Sequence, residues 1–222
     1  MNNPHQSKKL GSILRQSIKE GDKLSVIASY FTIYGFNELK EEFSDIEDLR
    51  LILSSGLFNF KDRDLLSDNP KDITGDKFEF RFKNKLNIHK VAKECAKWIN
   101  EKVEIKSTKI PGVIGTNLIH INNENSLGIN ISSSNLSASD LGYAPNDKIT
   151  MNTVSSNLEA TEQMLHFFNQ NWDNESLVAD VKNDVLKQLE LSYKDNTPQQ
   201  VYYFTLYNIF KDFLTHLDEE KI

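Results

Sequence analysis

Small hydroxyl and amide residues are concentrated between Gly128 and Gly142, in the sequence Gly-Ile-Asn-Ile-Ser-Ser-Ser-Asn-Leu-Ser-Ala-Ser-Asp-Leu-Gly. This segment is typical of a buried strand that ends in a polar turn. Turns of this kind direct backbone N–H groups, serine hydroxyls and an asparagine amide toward an oxyanion such as phosphate. The segment therefore predicts a phosphate-binding turn, with Ser133, Ser134 and Asn135 as its candidate ligands.

The same segment resembles the Gly-Ser-Ser-Asn-Leu-Thr-x-x-Gly-Leu turn that follows the His-x-Lys motif of phospholipase D-type phosphodiesterases and nucleases, the HKD superfamily. Other stretches are similar to phospholipase D-like domains found N-terminal to bacterial SNF2-type helicases. These stretches are Ser25 to Leu39, Leu49 to Ser54, Phe167 to Trp172, and the tail from Lys187. The resemblance covers Leu24 to Phe213 and depends on the order and spacing of these motifs.

The catalytic pair of that family is missing from this chain. The strand before the turn should begin with Leu-His-Ala-Lys, but the equivalent residues set Gly115 at the His position and Asn117 at the Lys position. In the family, the His forms a phospho-enzyme intermediate and the Lys holds the phosphate oxygens. The resemblance therefore implies a catalytically degenerate module that retains part of a phosphate cradle. The phosphate- or nucleic-acid-binding residues that it implies are Asn117, Ser133, Ser134, Asn135 and Lys148.

Three functions from different classes fit these observations. The first is a module without catalytic residues that binds a nucleic-acid backbone, DNA or RNA, or a helicase-type partner in bacterial or phage DNA processing or defence. The second is an active nuclease that uses either His120 or a metal ion bound by acidic residues between Asp62 and Asp76. Strand alternation points His120 to the face opposite Asn117, which favours an ordinary strand histidine. The third is a structural assembly subunit in which the Ser-rich turn binds no ligand and only reverses the chain.

Composition limits the class of protein. The 222 residues are 38% hydrophobic and 26% charged, which is typical of a folded domain with an appendage. No apolar run approaches the roughly 18–20 residues of a membrane span, so no membrane partner is expected. The only cysteine, Cys95, excludes an intrachain disulfide, is expected to be a buried structural thiol, and fits the cytoplasm. The histidines lack metal-ligand spacing, and neither a metal nor another cofactor is expected.

Periodicity predicts an α/β protein. The apolar patterns favour helices at 10–19, 36–43, 87–102 and 156–172, and strands at 24–31, 48–55, 103–106, 117–121, 127–131 and 148–152. The first strand–helix–strand unit implies parallel strands with a right-handed crossover, and the strands at 117–121 and 127–131 are expected to form a hairpin. From Leu177 onward the pattern indicates helices only.

We therefore expect a phospholipase D-like mixed sheet of about seven strands flanked by helices. It would occupy residues 1–175 and be followed by a helical C-terminal appendage over residues 176–222, which resembles the connector into a helicase. The family builds its site from two motif copies and this chain has one. The resemblance consequently implies a homodimer across the site face, with a helicase or other protein partner bound through the C-terminal helices.

Overall fold

The computed structural model describes residues 9–56, 85–123, 126–131, 135–144 and 151–193. The helices in these ranges are α1 (Leu10–Ser17), α2 (Ile33–Glu38), α3 (Lys40–Asp45), α4 (Lys85–Lys102), α5 (Leu158–Trp172) and α6 (Lys182–Tyr193). The strands are β1 (Lys23–Ala28), β2 (Tyr30–Phe31), β3 (Asp48–Leu53), β4 (Val103–Thr108), β5 (Leu118–Asn122), β6 (Leu127–Ile131), β7 (Asn135–Leu136), β8 (Asn152–Ser155) and β9 (Val178–Asp180).

Seven strands form one mixed sheet in the order β8-β6-β5-β1-β3-β4-β9. The central strands β1, β3 and β4 are parallel, and antiparallel strands continue the sheet on both sides. The mixed α/β class, the parallel strand–helix–strand unit and the β5–β6 hairpin are therefore confirmed. The three parallel strands finish at Ala28, Leu53 and Thr108. We call this end of the sheet, where the carboxyl ends of the strands lie, the carboxyl edge.

The two faces of the sheet pack differently. Alternate residues such as Val26, Leu51 and Ile105 lie in a large core to which α1–α4 and α6 contribute buried side chains. The opposite face packs under α5, where a smaller apolar cluster contains Phe168 and Trp172. This division follows from strand periodicity, since successive side chains point to opposite faces.

Cys95 lies within the large core and is fully buried, as the amphipathic pattern predicts. Burial raises the pKa of its thiol well above the ordinary value, so the group stays protonated at neutral pH. Cys95 is a structural residue.

Four predicted elements differ from the structure. The strand expected at 24–31 breaks at Ser29 into β1 and β2, because β2 leaves the main sheet to pair with β7. The helix expected at 36–43 is two short helices that meet at Leu39. The strand expected at 148–152 is β8 at Asn152–Ser155, with residues 148–150 outside the described ranges. Residues 178–180 form β9 instead of a helix, because they pair with the open side of β4.

The start of the expected appendage packs on the sheet. β9 extends the sheet, and Val185 and Leu189 of α6 are buried in the large core. The expected helix at 201–217 and the polar stretch at 57–82 lie outside the described residues, and the domain division at 175 stays a prediction. In the described part of the chain, no helix combines the length and apolar composition needed to cross a membrane.

Candidate functional site

Two of the five predicted binding residues lie in the described ranges, and both are at the carboxyl edge. Asn117 immediately precedes β5, whose first residue Leu118 pairs with Ile27 near the end of β1. Asn135 begins β7 and pairs in parallel with Tyr30, two residues after β1 ends. The structure thus brings Asn117 and Asn135 to the same end of β1.

The other three predicted binding residues are not placed. Ser133, Ser134 and Lys148 lie outside the described residues.

A tight contact with the start of α2 holds β7. Thr32 caps α2, and its Oγ1 accepts a hydrogen bond of 3.1 Å from the Gly35 N–H. The Thr32 N–H in turn donates to the carbonyl oxygen of Leu136 at 3.2 Å. A Cβ atom on Gly35 would be 2.0 Å from that same oxygen, so only glycine permits this approach. The position of Asn135 therefore depends on Gly35.

Asn135 carries a buried amide group that the described residues leave unsatisfied. Its side chain is 2% exposed, and its Oδ1 has no hydrogen-bond partner in the described part of the chain. An unsatisfied buried polar group costs about 1–3 kcal/mol, and such groups in native proteins call for a functional or structural reason. The Asn135 Oδ1 therefore calls for a partner other than the described residues.

Ser55 presents a second buried polar atom without a partner among the described residues, its Oγ. The Ser55 N–H donates to the Ser29 carbonyl oxygen at 3.3 Å. Ser29 directly precedes Tyr30, and Tyr30 pairs with Asn135. Ser55 and Asn135 therefore contact neighbouring residues of the same short stretch of chain. The carboxyl edge therefore holds two unsatisfied polar groups around residues 29 and 30.

Side chains in the second half of the Ser-rich segment hydrogen-bond to one another. The Ser137 hydroxyl donates to Asp140 Oδ2 at 2.9 Å and accepts from the Asp140 N–H at 3.1 Å. The hydroxyls of Ser137 and Ser139 are 2.9 Å apart, and all three residues are buried. These hydrogen bonds join Ser137, Ser139 and Asp140 in one buried turn.

Hydroxyl residues at the ends of β1, β3 and β4 were missed by the sequence prediction. Thr108 Oγ1 donates to the Ser54 carbonyl oxygen at 3.1 Å, and Ser107 Oγ donates to the Leu53 carbonyl oxygen at 3.4 Å. These two hydroxyls close the ends of adjacent strands. A sequence signal existed, because Ser29 and Ser54 directly follow β1 and β3, and β4 ends in Ser107 and Thr108.

His120 lies away from this edge, in the middle of β5. It pairs in register with Ser25 of β1 and Gly128 of β6, and it is 1% exposed. Ser25 is three residues before the end of β1, which is about 10 Å of strand. Burial, and secondarily the charge of Arg50, lower the pKa of His120, so the imidazole is neutral at pH 7. This placement disfavours His120 as a nucleophile at the carboxyl edge.

The alternative metal site falls in the undescribed range 57–84, and the acidic residues from Asp62 to Asp76 are not placed. Within the described ranges, no group of three histidine, cysteine or carboxylate side chains is arranged to hold a metal ion.

Asn117, Asn135, Ser55, Ser107 and Thr108, which lie at the carboxyl edge, carry neutral amides and hydroxyls. Such groups donate hydrogen bonds to phosphate oxygens, but a serine hydroxyl is a weak nucleophile without an adjacent base. Amide and hydroxyl groups of this kind can bind an oxyanion. Neither a known protein family nor a curated protein matches this sequence.

Proposed function

We propose that this chain is a catalytically degenerate phospholipase D-like module whose carboxyl edge binds the phosphate backbone of a nucleic acid. The observation that carries the proposal is the buried Oδ1 of Asn135 at the end of β1, which has no hydrogen-bond partner among the described residues. A 180° rotation of the amide puts its N–H donor where the unsatisfied oxygen lies, so the side chain can donate to a phosphate oxygen.

The order of elements supports the resemblance. A parallel strand–helix–strand unit opens the sheet, the β5–β6 hairpin leads into the Ser-rich segment, and α5 ends at Trp172. This order of elements is the one that the resemblance implies. Because Gly115 and Asn117 supply neither a nucleophile nor a cation, the module binds without cleaving.

Fluorescence anisotropy with labelled single- and double-stranded DNA and RNA tests this function, with cleavage followed in the same samples. We expect binding without cleavage, with or without Mg²⁺. Asn135→Ala should weaken binding by about 10- to 100-fold, the value of one or two hydrogen bonds to a charged group. Its thermal stability should not fall, because no hydrogen bond between described residues is lost.

The matched control is Asn100→Ala, which removes an exposed asparagine on α4 and should bind like the wild type. Cleavage by the wild type at ordinary enzymatic rates would refute the degenerate module. If EDTA abolished that cleavage, the metal-dependent alternative would replace it.

The proposal includes a homodimer across the carboxyl edge, since one motif copy forms only half of the family's site. Two apolar residues in the connection after β4 support it: Ile110 is 64% exposed and Val113 is 47% exposed. A helicase-type partner would bind residues 176–222, of which the structure describes those up to Tyr193. We place the module in the cytoplasm, where Cys95 stays reduced.

A further inference from the structure

A separate pocket lies at the other end of the sheet, between the sheet and α5. Its volume is about 540 Å³, within the range of small-molecule sites. It is formed by the amino ends of β1, β3 and β4 together with α5, and we call it the amino-end pocket. The polar residues that line it include Ser25, Arg50, Glu104, Asn122 and Asn169.

Arg50 is the central cation of this pocket. Its guanidinium donates a hydrogen bond of 3.0 Å to Ser25 Oγ. The same group lies 4.9 Å from the ring centroid of Phe168 and 5.8 Å from that of Trp172. These contacts hold the half-buried guanidinium between Ser25 and the two aromatic rings of α5.

The guanidinium has no carboxylate partner among the described residues. Of its five N–H donors, the described residues use one. A half-buried cation with free donors in a fixed plane is suited to a carboxylate or phosphate oxygen pair.

Glu104 is the matching anion. It pairs in register with Arg50 on the neighbouring strand β4, and it is exposed. Arg50 nevertheless turns toward Ser25, on the opposite side of β3, and Glu104 forms no ion pair with any described residue. Arg50 and Glu104 thus carry opposite charges on adjacent strands, both line the pocket, and neither forms an ion pair with a described residue.

The remaining charges of the pocket are already engaged. The Lys102 and Lys182 ammonium groups donate to backbone carbonyl oxygens, and Lys23 pairs with Glu47 and Asp48. The lining contains four cationic and four acidic side chains, so its net charge is balanced. A balanced lining disfavours a polyanion and favours a ligand that carries both charges.

Asn169 of α5 adds an unsatisfied group to the same lining. Its Oδ1 is buried and has no hydrogen-bond partner in the described part of the chain. An amide can donate to an oxyanion or accept from an ammonium group.

We propose that the amino-end pocket binds a small zwitterion of the α-amino acid class. Arg50 binds its carboxylate, Glu104 binds its ammonium group, and Asn169 hydrogen-bonds to one of them. This site is independent of the phosphate site, because it lies at the opposite end of the parallel strands.

Thermal-shift measurements with each L-amino acid at about 10 mM test the proposal, followed by calorimetry on the best ligand. Acetate and methylammonium serve as probes that carry only one of the two charges. We expect at least one amino acid to raise the melting temperature, and neither single-charge probe to do so.

Two variants locate the site. Glu104→Gln changes an exposed residue, so it should fold normally and raise the Kd at least about tenfold. Arg50→Gln should abolish binding, and Glu162→Gln, an exposed residue on α5, should bind like the wild type. The proposal would be refuted if no amino acid shifted the wild type, if Glu104→Gln kept the full shift, or if acetate alone reproduced it.

Discussion

Gly35 lies directly against Leu136, so that a Cβ atom on Gly35 would be 2.0 Å from the carbonyl oxygen of Leu136. That oxygen also accepts the hydrogen bond from the Thr32 N–H. Since Leu136 follows Asn135 in β7, this contact ties the start of α2 to the candidate phosphate site. The close packing of Gly35 against Leu136, which are distant in the sequence, thereby determines where the Asn135 amide lies.

Gly35→Ala should therefore disturb both stability and binding. The added methyl group meets backbone rather than a flexible side chain, so β7 or α2 must move. We expect the free energy of unfolding to fall by about 1–3 kcal/mol, measured by urea denaturation. Nucleic-acid binding should weaken in parallel, because Asn135 moves with β7.

Gly115→Ala is the control for this substitution. Apart from its chain neighbours, no heavy atom of the described residues lies within 4 Å of a Cβ built on Gly115, and the residue is exposed. Its unfolding free energy should stay close to that of the wild type. Equal stability of the two alanine variants would contradict the close contact.

Much of the fold could be predicted because long periodic patterns specify their own elements. The apolar stripe of α4 and the alternation in β5 and β6 each depend on residues close in sequence. Asn117 and Asn135 were predicted together from the spacing of a motif, and they do lie at one end of β1.

The amino-end pocket could not be predicted, because strand register creates it. Ser25, Arg50 and Glu104 are far apart in the sequence and meet only through the pairing of β1, β3 and β4. A partial signal was present, since Arg50 interrupts the apolar run of β3. The split at Ser29 was missed for a similar reason: the partner of β2 is more than a hundred residues away.

His120 should make stability depend on pH. Burial and the charge of Arg50 lower its pKa in the folded protein below the ordinary value of 6.5. The unfolded chain then binds the proton more readily, so the free energy of unfolding should decrease as the pH falls below about 6.5. Above that pH His120 is neutral in both the folded and the unfolded protein, so it no longer lowers the free energy of unfolding. Urea denaturation across this range measures the effect.

His120→Gln should remove this part of the pH dependence. His166→Gln, which changes an exposed histidine on α5, should retain it. The predicted sign of the pH dependence would be wrong if the free energy of unfolding of the wild type rose as the pH fell through this range. His120→Gln would then have to remove that slope.

The proposed homodimer should depend on the exposed apolar residues of the carboxyl edge. Ile110→Asp and Val113→Asp place a charge where the partner subunit would pack, so each should shift the protein to monomer in light scattering coupled to size exclusion. Leu158→Asp is the matched control, because Leu158 is 65% exposed at the start of α5. A wild-type monomer would exclude the dimer, and dissociation by Leu158→Asp alone would place the interface elsewhere.

Restoring the missing catalytic pair tests the resemblance most directly. A Cβ added at Gly115 would meet no described residue beyond its chain neighbours, and Asn117 is half-buried just before β5. The double variant Gly115→His, Asn117→Lys would supply the nucleophile and the cation that phospholipase D-type chemistry uses. We expect it to hydrolyse bis(p-nitrophenyl) phosphate above the wild-type background in the presence of EDTA, whereas each single variant stays inactive. Adding Asn135→Ala to the double variant should lower the rate by about 10-fold or more, because the cradle loses a donor to the transition state. A folded double variant with no activity above background would contradict the assignment of these two positions to the catalytic pair.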